Sequence, residues 1–267
     1  MNIRGKVFVV TGGGNGIGRE VVLNLMSKGA SVGAVDISQD GLDETKSLAS
    51  QYSTKLSLHK VNISDRAAVE ALVHDVEREH GLVDGIINVA GIIQPFVRVN
   101  DLDYDRIERV MNVNFYGTLY MVKSFLPSLM QRPQAHILNV SSMGGFIPVP
   151  GQTIYGASKA AVKLLTEGLR SELLDTNVGV TIVFPGGVAT DITKNSGADR
   201  KSAPIEGNSK MKLLTATEAA EIIVDAIEKK KYQVYAGKDS SMLNLMTKFA
   251  PKKAAAVIAD KLKSIMA

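Results

Sequence analysis

Apolar positions along the chain fall into two alternating patterns. Short runs rich in β-branched residues, KVFVVT (6–11), SVGAVD (31–36), LSLHKV (56–61), VDGIIN (83–88), HILNVS (136–141) and VTIVFP (180–185), are apolar on both faces, as strands buried inside a parallel sheet are. Helical periodicity fills the intervals. In SDRAAVEALVHDVEREHG, residues Ala68, Val69, Leu72, Val73 and Val76 share one face, with Ser64 as the expected N-terminal cap and Gly81 as the stop. After the sixth strand come a polar segment, 191–212, a helix from about 217 to 230, and a last strand, YQVYA. Strict alternation predicts βαβ units in an α/β fold, a doubly wound parallel sheet of about seven strands with helices on both faces. No linker divides the series, so the expected organisation is one domain over 1–267, with 240–267 as a C-terminal helical extension.

Composition narrows the functional classes. The net charge of +4 is uneven: residues 200–267 carry 13 Lys+Arg against 7 Asp+Glu, and the remainder 18 against 20. That surplus lacks the concentrated stripe or reading motif of a nucleic-acid binder. With no cysteine, disulfides and thiolate metal sites are excluded. The four histidines, His59, His74, His80 and His136, form no paired ligand motif, and no metal is predicted. Neither a cleavable leader nor a membrane-spanning apolar run is evident, so the expected location is cytoplasmic.

In a doubly wound sheet, ligands bind beyond the carboxyl ends of the strands. The first strand ends in TGGGNGIG (11–18), where glycines permit a tight turn and let the backbone approach a pyrophosphate at a helix N-terminus. Arg19 and Glu20 follow, so the Lys-Ser/Thr of a nucleoside triphosphate loop is absent. The second strand ends in Asp36, placed to bond adenosine ribose hydroxyls and to repel a 2′-phosphate. Neither Asn15 nor Ile37 offers a compensating charge, which predicts NAD over NADP. Strand four runs into NVAG (88–91) and strand five into NVSSMGG (139–145), small residues that leave room for a flat ligand. Thirteen residues after Ser142 stands Tyr155, with Lys159 one helical turn further on the same face. Periodicity alone would leave that pair as incidental members of an interface helix. A phenol, however, is a poor acid or base near neutrality unless a cation is held against it, and an interval of four supplies one.

Assembled in this order, the residues resemble the short-chain dehydrogenase/reductase family, in its classical subgroup. TGGGNGIG is similar to the family's TGxxxGxG, Asp36 to its NAD-type acid, NVAG to its NNAG, Asn114 to its helix asparagine, Ser142 to its serine, Tyr155 and Lys159 to its YxxxK, and PGGVAT to its PG turn with Thr190 after it. Val89 departs from the second asparagine of NNAG, and Asn62 stands where the family often has an aspartate beside the adenine. The resemblance implies a Rossmann-type fold binding NAD through Gly12, Asn15, Gly16, Ile17, Gly18, Asp36, Asn62, Ile63, Asn88, Ala90, Gly91, Tyr155, Lys159, Pro185, Gly186, Val188 and Thr190. It implies catalysis by Asn114, Ser142, Tyr155 and Lys159, with Ser142 and Tyr155 also meeting the substrate. In that scheme Tyr155 exchanges the proton, Ser142 holds the substrate oxygen, Lys159 favours the phenolate and binds the nicotinamide ribose, and Asn114 positions a proton-carrying water. Homodimers or homotetramers are also implied.

The tail carries two apolar stripes, Met242/Leu245/Met246/Phe249 and Ala254/Ile258/Leu262/Ile265, separated by Pro251 and accompanied by lysines. Packing on the protein's own pocket or on a partner subunit is the expectation, over peripheral membrane contact. Either suits a hydrophobic secondary alcohol or ketone, such as a lipid, steroid or long-chain carbonyl, held under 191–212 as substrate loop. A sugar or polyol dehydrogenase, and an NAD-binding regulatory protein with little turnover, are the alternatives.

Overall fold

The structure, a computed structural model, describes residues 1–198 and 213–262. Seven strands form one wholly parallel sheet: β1 (Val7–Thr11), β2 (Ser31–Asp36), β3 (Leu56–Lys60), β4 (Gly85–Asn88), β5 (Ala135–Val140), β6 (Val178–Pro185) and, after a two-residue ladder of β7 (Val188–Ala189) with β8 (Leu214–Thr215), β9 (Gln233–Ala236). Their spatial order is β3-β2-β1-β4-β5-β6-β9. The direction of progression reverses between β1 and β4, where Thr11 faces Asn88 across the ladder. That is the switch point at which the carboxyl ends open a crevice. The six internal runs and the last strand fall where the apolar pattern put them; the β7–β8 ladder, two residues to a side, left no periodic trace.

Helices α1 (Gly16–Ser27), α2 (Gln39–Ala49), α3 (Arg66–His80), α4 (Tyr104–Met111), α5 (Thr118–Leu129), α6 (Thr153–Glu172), α7 (Ile192–Asn195) and α8 (Ala216–Glu228) follow the strands, and α9 (Lys238–Phe249) and α10 (Pro251–Leu262) close the chain. Because both faces of β1 are covered, Phe8 and Val10 pack with Val22, Leu25 and Ile223 on one side, while Val7 and Val9 pack with Val76, Met121 and Phe125 on the other. The cap of α3 is Asp65, whose carboxylate accepts the Ala68 N–H, and not Ser64. Ser64 is instead drawn to Asn62, whose Oδ1 accepts both its N–H and its hydroxyl. α8 starts with a reciprocal cap between Thr215 and Glu218.

Histidines serve the framework. His59 and His80 both bond the Ser57 hydroxyl, and buried His136 bonds Thr181, with burial pushing its pKa down to about 3. Among the described residues no cluster of His, Asp and Glu could hold a metal, and no helix is long and apolar enough to cross a membrane.

Candidate active site

At the carboxyl end of β1 the chain turns through Gly12–Asn15 into α1. The turn closes tightly: a Cβ on Gly18 would lie 2.0 Å from Gly12 O, so only glycine lets α1 approach its own strand. Asn15 caps α1 by accepting the Gly16 N–H. Asp36, at the end of β2, accepts N–H bonds from Gly14 at 3.0 Å and from Ser38 at 3.0 Å, which fixes its carboxylate beside the turn. Thr11 Oγ1 accepts from Val89 N and Ala90 N and so holds the NVAG turn against the glycine loop.

These elements wall a groove of about 660 Å³, in the range of a small-molecule site. Of the predicted cofactor residues, Gly12, Asn15, Gly16, Ile17, Gly18, Asp36, Asn62, Ile63, Ala90, Gly91 and Thr190 line it. Asn88, Tyr155, Lys159, Pro185, Gly186 and Val188 do not. Asn88 is buried, and its amide donates to Asn139 Oδ1. Pro185 ends β6, and the turn after it is held by the tail, where Asp239 Oδ2 accepts the Gly187 N–H at 2.7 Å.

The groove also contains two cations that no motif marks, Arg19 and Arg109. Arg19 lines it, but its guanidinium is engaged by Gly14 O, Glu44 and Thr45. Val61, Val113 and Ile192 add apolar walls. These residues carry no motif, and only the fold brings them to the groove.

Four chemically distinct side chains stand in two pairs, Asn114 and Lys159 beside Gly91 and Ser142 and Tyr155 beside Gly144. Asn114 sits in a π-helical turn, Asn112–Gly117, between α4 and α5; such a widened turn is often found at functional sites. Its side chain is fully bonded: Oδ1 accepts the Ile92 N–H at 2.8 Å, while Nδ2 donates to Ile92 O and to Ser158 Oγ. Ser142 lies just beyond β5, where its hydroxyl accepts the Gly144 N–H at 3.0 Å. Tyr155, half-buried, forms a side-chain hydrogen bond with Ser142. Burial pushes the phenol above its ordinary value, and the Ser142 bond opposes that shift.

Lys159 is 4% exposed, and its Nζ donates to Val140 O at 3.0 Å. Burial lowers its pKa to about 8. The amine and Tyr155 share a face of α6, yet the amine is bonded to the end of β5, because a desolvated ammonium requires an acceptor. A Cβ on Gly91 would stand 3.0 Å from this Nζ and 3.2 Å from Asn114 Oδ1, so the glycine keeps the space above the lysine open. The arrangement unites a proton donor and acceptor (Tyr155), a hydroxyl that can hold a substrate oxygen (Ser142) and a buried cation, all beside a groove lined by backbone N–H groups and ended by a carboxylate.

Gln94 is a further participant. It is 1% exposed; its Oε1 accepts the N–H groups of Ile154 and Tyr155, and its Nε2 donates to Gly151 O. Gln152 Nε2 in turn donates to Gln94 O. The first N–H groups of a helix have no partner within it, so Gln94 fixes the start of α6 and with it the height of Tyr155. Two glutamines amid glycine and proline were the available signal. On the opposite side of the mouth, Ser196 Oγ accepts the Ile93 N–H and pins α7.

Three comparisons agree with this geometry. The pattern of the short chain dehydrogenase family matches residues 6–201. The protein named "Putative oxidoreductase SadH" in Mycobacterium tuberculosis is 34% identical over 253 residues, 92% of this chain and 91% of its own length. Among solved structures, a short chain dehydrogenase/reductase from Burkholderia phymatum in complex with NAD superposes with a TM-score of 0.80 at 25% identity, covering 88% of this chain and 90% of the other. One from Burkholderia cenocepacia in complex with NADP gives 0.81 at 25% identity, covering 97% and 99%.

Proposed function

Because the chain belongs to the short-chain dehydrogenase family and is an oxidoreductase, we propose that it moves a hydride between a hydrophobic secondary alcohol or ketone and NAD, with Tyr155 as acid and base. The observation that carries this reading is a Ser142–Tyr155 pair at the start of the helix that bears buried Lys159, whose amine lies against Gly91 of a groove that also holds Asp36.

The residues present suit a dinucleotide. The glycines of 12–18, at the N-terminus of α1, leave backbone room that fits a pyrophosphate, and Asp36 fits an adenosine ribose. Asn62 and Ile63 flank the adenine end, and Gly91, Thr190 and Lys159 the nicotinamide end. When bound, the nicotinamide supplies the hydride acceptor or donor and, oxidised, a positive charge. Asp36 supports NAD because its charge repels a 2′-phosphate, and Glu44 holds Arg19 away from the role of counter-cation.

Ser142 holds the substrate oxygen and bears its developing charge. Tyr155 accepts the hydroxyl proton during oxidation and returns it during reduction. Lys159, charged below about pH 8, favours the phenolate and bonds the ribose. Asn114, with both ends of its amide engaged by Ile92 and Ser158, ties the chain after Gly91 to α6 next to Lys159 and supports a water path to solvent. Ile92 and Ile192 in the groove wall favour an apolar substrate; residues 199–212 of the expected substrate loop lie outside the described residues. The outer face of α6, with Ala157, Leu164 and Gly168 exposed, supports pairing with a second copy.

The test is NADH formation from secondary alcohols of graded polarity by the protein and by Tyr155→Phe. Turnover is expected with apolar alcohols, reduced by about 10²-fold or more in the variant, while NADH still binds both. An undiminished rate in the variant would sink the assignment. Binding without turnover across the whole panel would favour a regulatory NAD-binding protein.

A further inference from the structure

The two stripes of the tail have different fates. Ala254 and Ile258 of α10 are buried against the body of the protein. In α9, Met246 is half-buried but Met242, Leu245 and Phe249 are 52%, 60% and 81% exposed, so most of this stripe is left uncovered by the protein's own body. Spaced at i, i+3 and i+7, the exposed three form one line along α9, with exposed Lys238 heading it. Phe249 ends the helix at the turn into α10, preceded by Lys248 and followed by Lys252 and Lys253, all exposed. Among the described residues none of these four lysines takes part in an ion pair with Asp or Glu. Between 238 and 260 the acidic side chains are Asp239, turned inward to Gly187 N, and Asp260.

We propose that the α9–α10 hairpin docks on the surface of an anionic lipid bilayer. An apolar line ending in an exposed aromatic, flanked by unpaired lysines, matches the division between acyl chains and phosphate headgroups. The pattern argues against a second copy as occupant, since pairing about a two-fold axis would appose the same lysine-rich patch on both partners. Neither helix is long or apolar enough to span, so the contact is superficial.

The hairpin is also rigidly rooted. Asp239 binds Gly187 N, and Ser240 Oγ donates to Phe184 O, fastening α9 to the carboxyl end of β6, on the sheet edge that also carries the groove. Docking would therefore hold the mouth of that groove close to the bilayer and favour reactants that partition into it. The inference goes beyond the proposed reaction and does not depend on it, because bilayer binding requires no turnover.

The experiment is sedimentation of the purified full-length protein with vesicles of phosphatidylcholine alone or mixed with phosphatidylglycerol. Two variants accompany it, Leu245→Ser/Phe249→Ser and Lys252→Glu/Lys253→Glu. Both leave the groove untouched, and retained NAD(H) binding with an unchanged circular dichroism spectrum verifies their fold. The expected result is partition onto the anionic vesicles, weakened by added salt and reduced by about tenfold or more in each variant. The proposal is overturned if the protein ignores all vesicles or if both variants bind as well as the parent. It is equally overturned if the parent forms a lipid-independent assembly that Leu245→Ser/Phe249→Ser dissolves, which would make a second copy the occupant.

Discussion

Lys159→Met is expected to make the cofactor-free protein more stable while abolishing its activity. The amine is 4% exposed, and its pKa falls from 10.5 to about 8 because burial disfavours its charge. At neutral pH that shift corresponds to about 3 kcal/mol of folding free energy lost to holding the ammonium inside. Methionine keeps the aliphatic stem and removes the charge, but leaves Val140 O without the donor it has at 3.0 Å, at a cost of about 1–2 kcal/mol. The net expectation is a gain of about 1–2 kcal/mol, or roughly 2–6 °C in Tm for a domain of this size.

The sign of the pH dependence follows from the folded pKa lying below the unfolded one. Between about 8 and 10.5 the unfolded chain holds the proton more firmly, so parent stability rises with pH through that window. The gap between variant and parent is therefore widest below about pH 8 and closes towards 10.5. Urea denaturation of both proteins without cofactor, at about pH 7 and about pH 10, reads the gap directly. A variant less stable than the parent at neutral pH, or a gap that pH does not alter, would refute the reasoning. Such a gain with loss of function is the signature of a residue retained for chemistry against its structural cost.

Other perturbations have equally definite outcomes. Gly18→Ala forces its Cβ against Gly12 O, and should cost about 2–3 kcal/mol and eliminate NAD binding, as measured by melting and cofactor titration. Asp36→Asn keeps the shape of the carboxylate, removes its charge, and should raise the NADP-to-NAD ratio of kcat/KM by about tenfold; adding Glu44→Gln, which releases Arg19, should raise it further. Gln94→Leu leaves the N–H groups of Ile154 and Tyr155 without an acceptor and should lower stability by about 2 kcal/mol. It should also reduce kcat more than NAD affinity, as steady-state rates and cofactor titration would show.

Much of this architecture could be read from the chain because it depends on periodicity and backbone demands. Runs such as SVGAVD are apolar on both faces only when a sheet is covered on both sides, and that run matches β2 residue for residue. TGGGNGIG was legible because Gly18 has no sterically allowed replacement against Gly12. Contacts that depend on three-dimensional neighbours were not. Ser64 and Asp65 are equally plausible caps on paper, and Asn62 decides between them by binding Ser64. Beyond its place next to a proline, nothing local marks Gln94 as the anchor of α6, and nothing marks Asp239 as the support of the Gly187 turn, since each acts across a large sequence separation. The Tyr155–Lys159 interval placed both groups on one face, but that spacing does not reveal that the amine would bond Val140 O. The tail showed two similar stripes, and only packing distinguishes buried Ile258 from exposed Phe249.

The central claim is that a phenol reluctant to ionise in the free protein becomes a base when the oxidised cofactor joins Lys159 beside it. Ultraviolet difference titration of the parent against Tyr155→Phe, with and without NAD, measures this directly. The account requires Tyr155 to ionise above the ordinary value of about 10 without NAD and well below it with NAD bound. A Tyr155 signal that titrates at the same pH in both states would contradict it.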